Sequence, residues 1–178
     1  ILRKNASVSP GELSGILQSQ EIDSVQELLP DRDIDVASKE GKEALRMAKA
    51  RVNQDFFRKM ILAAYQGACC LTDLNVPQVL RASHISCWAD DKANRLNPAN
   101  GLCLSATYDA AFDRHLISFD EDCRLILSPA LSEYCTNDAF KKHFKTLEGQ
   151  EISKPTRYPP DKSLLAKHRE TMAHKARG

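Results

Sequence analysis

Apolar residues at Leu45, Ala48, Val52, Phe56, Met60 and Ala63 recur at steps of three and four, and Phe57, Ile61 and Ala64 add a second stripe. That period predicts one long helix from about Lys42 to Tyr65, buried more widely in its second half, with Gly67 as its stop signal. The pattern then shortens. Cys69 to Leu74 and Val79 to Ile85 read as two short strands joined by the turn composition Asn75-Val76-Pro77, and residues 86–99, rich in Asp, Asn and Ala, read as a loop. Leu116 to Phe119 and Cys123 to Leu127 flank Asp120-Glu121-Asp122 as a hairpin. Asp161 can cap a last helix with the apolar face Leu164, Leu165, His168 and Met172. Upstream, Ser9-Pro10-Gly11-Glu12 has the form of a capping box leading into a short helix through Leu17, and Asp23 can cap a second helix that Pro30 ends. The sum is an α+β protein, with an N-terminal helical arm or linker over residues 1–41 and one domain over 42–178.

Composition narrows the class without naming a function. At 178 residues the chain can bury a real core, and no run approaches the roughly 18 to 20 apolar residues of a membrane span. It opens on Ile1, and Ile-Leu-Arg-Lys-Asn has no signal-peptide core, so a fragment with a missing upstream recognition or sensor domain is expected. Six cysteines, at 69, 70, 87, 103, 123 and 135, form no Cys-x-x-Cys pair and are expected to be reduced and mostly buried in a cytoplasmic protein. A net charge of +1 hides a gradient. Residues 1–40 hold 4 basic and 8 acidic groups, whereas 141–178 hold 10 basic and 4 acidic. The C-terminal segment is therefore either a phosphate-facing surface or a solvated charged helix.

The chemistry concentrates in three short motifs: Arg81-Ala82-Ser83-His84-Ile85-Ser86, then Asn100-Gly101-Leu102-Cys103-Leu104, then Tyr108-Asp109-Ala110-Ala111-Phe112-Asp113. They run strand, loop, strand, helix, with a lone histidine on the first strand, an asparagine opening the second and a carboxylate on the helix. Singly each signal is weak, since a lone histidine is often a packed core residue and Asn-Gly often only a turn. Together, with Gln54-Asp55-Phe56-Phe57-Arg58 before them and Cys69-Cys70-Leu71-Thr72-Asp73 between, they resemble the ββα-metal (His-Me finger) core of HNH endonucleases. The likeness is to a bacterial restriction-type subfamily. It covers roughly Arg51 to Pro129, with the core at about 69–129.

The resemblance implies a divalent-metal-dependent DNA endonuclease of restriction or phage-defence type, using Mg²⁺ or Mn²⁺. A near-neutral imidazole suits a general base, and hard oxygen donors suit those cations. By resemblance His84 takes the base position. Asn100 either ligates the metal or holds the loop that orients the base, Asp109 falls at the last metal ligand, and Asp113 ties the helix to the following hairpin. Two positions depart from the pattern. Many HNH nucleases place a metal ligand immediately before the base, where this chain has Ser83, and many carry a histidine in the last element, where it has Tyr108-Asp109. If position 108 is the ligand, the protein binds metal weakly or is inactive; if Asp109 is, Tyr108 positions phosphate.

Double-stranded DNA is the implied substrate, gripped by Arg51, Arg58, Arg81 and Arg95, and two active sites in a homodimer would cut both strands. Arg51 and Arg58 share a helix face and either touch DNA or brace the active-site loop. Trp88 is expected to anchor the loop, His168 to pack and His115 to lie on the surface. The rival reading is a catalytically silent HNH-fold module that binds nucleic acid.

Overall fold

The computed structural model describes residues 39–176, so the expected arm with its capping box at Ser9 lies outside the described residues. The chain divides into two units, residues 1–56 and 57–178. The described part of the first is the front of helix α1, which runs Lys39–Ala64 and exposes Arg51. Arg46 and Glu43 pair there at 3.6 Å, an exposed contact of small energetic value. The helix stops as its sequence predicts: Gly67 takes a φ of 68° and its N–H donates to the Leu62 carbonyl at 2.7 Å.

The second unit is built from two small antiparallel pairs and the helices packed on them. Strand β1 (Leu80–His84) pairs with β2 (Gly101–Ser105), Leu80 opposite Ser105 and His84 opposite Gly101. All five residues of β2 are buried, and α2 (Ala106–Asp113) follows it directly and packs on both strands. Strands β3 (Ile117–Phe119) and β4 (Leu125–Leu127) form the expected hairpin, whose turn is held by Asp120 Oδ1 accepting from the N–H groups of Asp122 and Arg124. Helix α3 (Asp138–His143) and helix α4 (Lys162–Lys175) complete the chain. Asp161 caps α4, its carboxylate accepting from the Ser163 and Leu164 N–H groups at 2.7 and 3.4 Å, and the face Leu164, Leu165, His168, Met172 is buried as its spacing predicts.

The core of this unit gathers Phe57 and Ile61 from α1 with Leu80, Leu102, Leu104, Phe112, Phe119 and Leu165. Each such side chain contributes about 1.5–3 kcal/mol by leaving water. Gly101 lets α1 rest on the strand. A Cβ there would stand 2.3 Å from Ile61 Cδ1 and 2.8 Å from Phe57 Cζ, so only glycine permits the approach. No helix among the described residues is long and apolar enough to cross a membrane. Four of the six cysteines, Cys69, Cys70, Cys103 and Cys123, are buried; Cys87 and Cys135 are exposed, and all six are unpaired.

One expected element is corrected. Cys69 to Leu74 forms a closed turn, with the Cys69 N–H donating to the Leu74 carbonyl at 2.8 Å and Asp73 at a φ of 56°. Cys69, Cys70 and Leu71 are buried because the turn plugs the core, while Leu74 stays exposed: the Cys70 N–H donates to the Cys103 carbonyl at 2.7 Å, and the Cys70 carbonyl accepts from the Ser153 N–H at 2.8 Å. A short buried run has no period that separates a strand from such a plug.

Candidate active site

His84 is the last residue of β1, and its ring lies flat on Phe57, with centroids 3.7 Å apart and planes at 13°. Trp88 meets the ring edge-on at 5.4 Å. His84 Nε2 is 3.0 Å from the Arg95 carbonyl. A carbonyl can only accept, so Nε2 carries the proton and donates, which leaves the Nδ1 lone pair free of any partner among the described residues. Burial holds the imidazole below its ordinary pKa, partly offset by the bond to the Arg95 carbonyl. The ring is therefore neutral at pH 7, held in one plane, with one nitrogen open to accept a proton.

The loop that supplies the Arg95 carbonyl is pinned from below. Asn100 is fully buried; its Oδ1 accepts from the Ser86 N–H at 2.7 Å, and its Nδ2 donates to the Ser86 and Asn94 carbonyls at 3.2 and 3.0 Å. Of the two roles expected for Asn100, this geometry matches holding the loop; a metal ligand would need an oxygen turned outward. Arg95 completes the brace, donating from Nε to the Trp88 carbonyl at 2.7 Å while its guanidinium lies 5.1 Å from the Trp88 ring centroid. Trp88 thus anchors the loop.

His84 opens on a cleft of about 840 Å³ whose walls include Arg81, Ser83, Asp90, Asp109, Asp113 and His115. Ser83 is buried, and its hydroxyl donates to Asp109 Oδ1 at 2.5 Å. Ser83, at the position where many HNH nucleases place a metal ligand, thus spends its proton on Asp109 and holds that carboxylate in place. Asp113 follows Asp109 by one helical turn on the same wall, and its carboxyl is held above the ordinary range by burial first and by the Asp109 charge second.

Two adjacent carboxylates suit a hard cation that keeps much of its shell as water and phosphate oxygen. They do not make a closed cage: among the described residues no group of three or more His, Cys, Asp or Glu side chains could hold a metal ion. Asp109 and Asp113 are the two carboxylates of this wall that could hold such a cation.

The arginines differ in exposure and in what they hold. Arg81 is exposed at the cleft wall, donating to the Leu80 carbonyl at 2.9 Å. Arg58 donates to the Leu80 and Pro77 carbonyls at 2.8 and 3.2 Å and so fixes the entry to β1. Tyr108 departs from its expected place at the substrate. It is buried, faces away from the cleft, and donates its hydroxyl to the His143 carbonyl at 2.8 Å with Phe144 edge-on at 5.6 Å. Burial raises its pKa further from neutrality. Tyr108 therefore packs the helix against α3, while its neighbour Asp109 lines the cleft.

Sequence reasoning missed Phe57 as the support of His84, Asp113 as a second cleft carboxylate, and His115, Lys167 and Lys175 as wall residues. The lysines had a signal: Lys167, Thr171 and Lys175 are spaced by four on a capped helix. The HNH endonuclease family matches residues 69–120 of the chain. No curated protein matches it.

Proposed function

We propose, from the match of residues 69–120 to the HNH endonuclease family, that the protein is a divalent-metal-dependent DNA endonuclease and that β1, β2 and α2 are its ββα-metal core. The observation that carries this reading is the tethered, neutral His84 with an unpartnered Nδ1, beside two carboxylates in one cleft. In the proposed reaction Nδ1 takes a proton from a water as the water attacks phosphorus, a role typically worth about 10²–10⁴-fold in rate. The Nε2–H bond to the Arg95 carbonyl keeps the ring in the tautomer this needs and stabilises the imidazolium that forms. Asp109 and Asp113 would hold Mg²⁺ or Mn²⁺, which when bound stabilises charge on the phosphate oxygens and the leaving oxygen. Ser83 orients Asp109, Asn100 orients the loop, and Arg81 meets the phosphate backbone.

The same reading extends to the domain over 42–178, to double-stranded DNA as substrate, to a homodimer that cuts both strands, and to a restriction or phage-defence role. The silent-module reading is favoured by one observation, the lack of a three-ligand cluster among the described residues. Cleavage of supercoiled plasmid in Mg²⁺ or Mn²⁺ separates the two. The nuclease reading expects nicking that EDTA abolishes and that Asp109→Asn reduces at least a hundredfold; DNA binding without product at any metal concentration would sink it.

A further inference from the structure

The cleft has a second wall, contributed by α4 from well outside the family-matched segment. Lys167, Thr171 and Lys175 recur at every fourth residue, so they share one helix face, and all three line the cleft that holds His84 and Asp109. Neither lysine forms an ion pair among the described residues. Lys175 Nζ instead donates to His115 Nδ1 at 3.1 Å. With Nδ1 accepting, the neutral His115 ring carries its proton on Nε2 and presents a further donor.

His115 is itself conspicuous. It adopts a φ of 58°, a left-handed conformation that disfavours a side chain, and its ring stacks on His168 at 4.4 Å with planes 5° apart. Such strain persists where the surroundings fix it, and functional sites are where it concentrates. Asp109 and Asp113 line the same cleft and repel a DNA strand lying along it. Cations without carboxylate partners in the same cleft offset that repulsion and are the chemistry that binds phosphate.

We propose that His115, Lys167 and Lys175 form a phosphate subsite, holding a phosphodiester next to the one that is cut and so fixing the register of the strand over His84. The proposal rests on the nuclease reading above and names the positioning residues of that same site. Its test is the affinity of the full chain for a fluorescein-labelled DNA duplex across a salt series in EDTA, alongside plasmid cleavage in Mg²⁺. Lys167→Gln combined with Lys175→Gln should weaken binding at least tenfold at low salt and reduce the slope of log affinity against log salt by about 2, since two phosphate contacts are lost. In cleavage the loss should fall on KM more than on kcat. His115→Asn, which tolerates the left-handed backbone, should weaken binding by a smaller factor.

Lys154→Gln removes a lysine that pairs with Glu151 away from the cleft, and should leave affinity within about twofold. The subsite fails if the double variant binds like the unaltered protein while that protein still cuts, or if Lys154→Gln costs as much as the double variant, because the charge effect is then diffuse. An unaltered protein that neither binds the duplex nor cuts plasmid overturns the nuclease reading, and the subsite with it.

Discussion

His84 and His168 are built alike and end up in different work. Each ring lies flat on a phenylalanine, His84 on Phe57 at 3.7 Å and His168 on Phe112 at 3.9 Å. Each sets Nε2 against a backbone carbonyl, that of Arg95 at 3.0 Å or of Phe112 at 3.1 Å. Burial lowers the pKa of both, His168 to about 4, with the neighbouring His115 a second cause there. The difference is the other nitrogen. His168 Nδ1 accepts from the Ser118 hydroxyl at 2.9 Å, whereas His84 Nδ1 has no partner among the described residues, although both residues line the cleft. Stacking and tethering make both histidines neutral and rigid; the unused lone pair of His84 is what the proposed base role needs.

Variants can push the two sites apart, and on stability the largest effect falls at His168. His168→Ala should cost about 2–4 kcal/mol in urea denaturation, since it empties a stack and leaves Ser118 unpaired. The pH dependence follows from the same residue. Its folded pKa of about 4 lies below the unfolded value near 6.5, so the unfolded chain binds the extra proton first. Stability is then full above pH 6.5 and is lost as pH falls toward 4, by on the order of 3 kcal/mol, with the lowered pKa of His84 acting in the same sense. Stability measured across that range should show a clearly shallower decline in His168→Ala.

Gly101→Ala should cost about 1–3 kcal/mol, because the added methyl collides with Ile61 and Phe57. As Phe57 carries the His84 ring, cleavage should fall with it through kcat, whereas a variant at His168, on which His115 stacks, should act on KM at most. Ser118→Ala, the smallest change, should cost about 1 kcal/mol and leave cleavage at permissive temperature unaltered. If Ser118→Ala instead lowered the cleavage rate, the division between a packing histidine and a working one would not hold.

Much of this contrast was legible in the sequence. The periodic elements were, because helix and hairpin signals are local: α1 with its Gly67 stop, the 120–122 turn, and the Asp161 cap with His168 on the buried face. The plug at Cys69–Leu74 was not, since the bonds that bury it reach Cys103 and Ser153, far along the chain. In the site, the sequence singled out His84 and Asp109, which line one cleft, and Asn100, which holds the adjoining loop. What each does with its donors and acceptors depended on loop contacts no spacing rule carries. Ser83 and Asn100, read as metal donors, turn their polar atoms to Asp109 and to the loop backbone. Tyr108 and Asp109 are adjacent in sequence, and only helical phase sends one into the core and the other to the cleft.

The most direct measurement is the rate of supercoiled-plasmid nicking in Mg²⁺ by the unaltered chain, His84→Ala and His168→Ala, at a temperature where thermal melting shows all three folded. A loss of about 10²–10⁴-fold is expected for His84→Ala, and a rate within a few-fold of the unaltered chain for His168→Ala. A His84→Ala protein that nicks as fast as the unaltered chain would contradict the base role of His84.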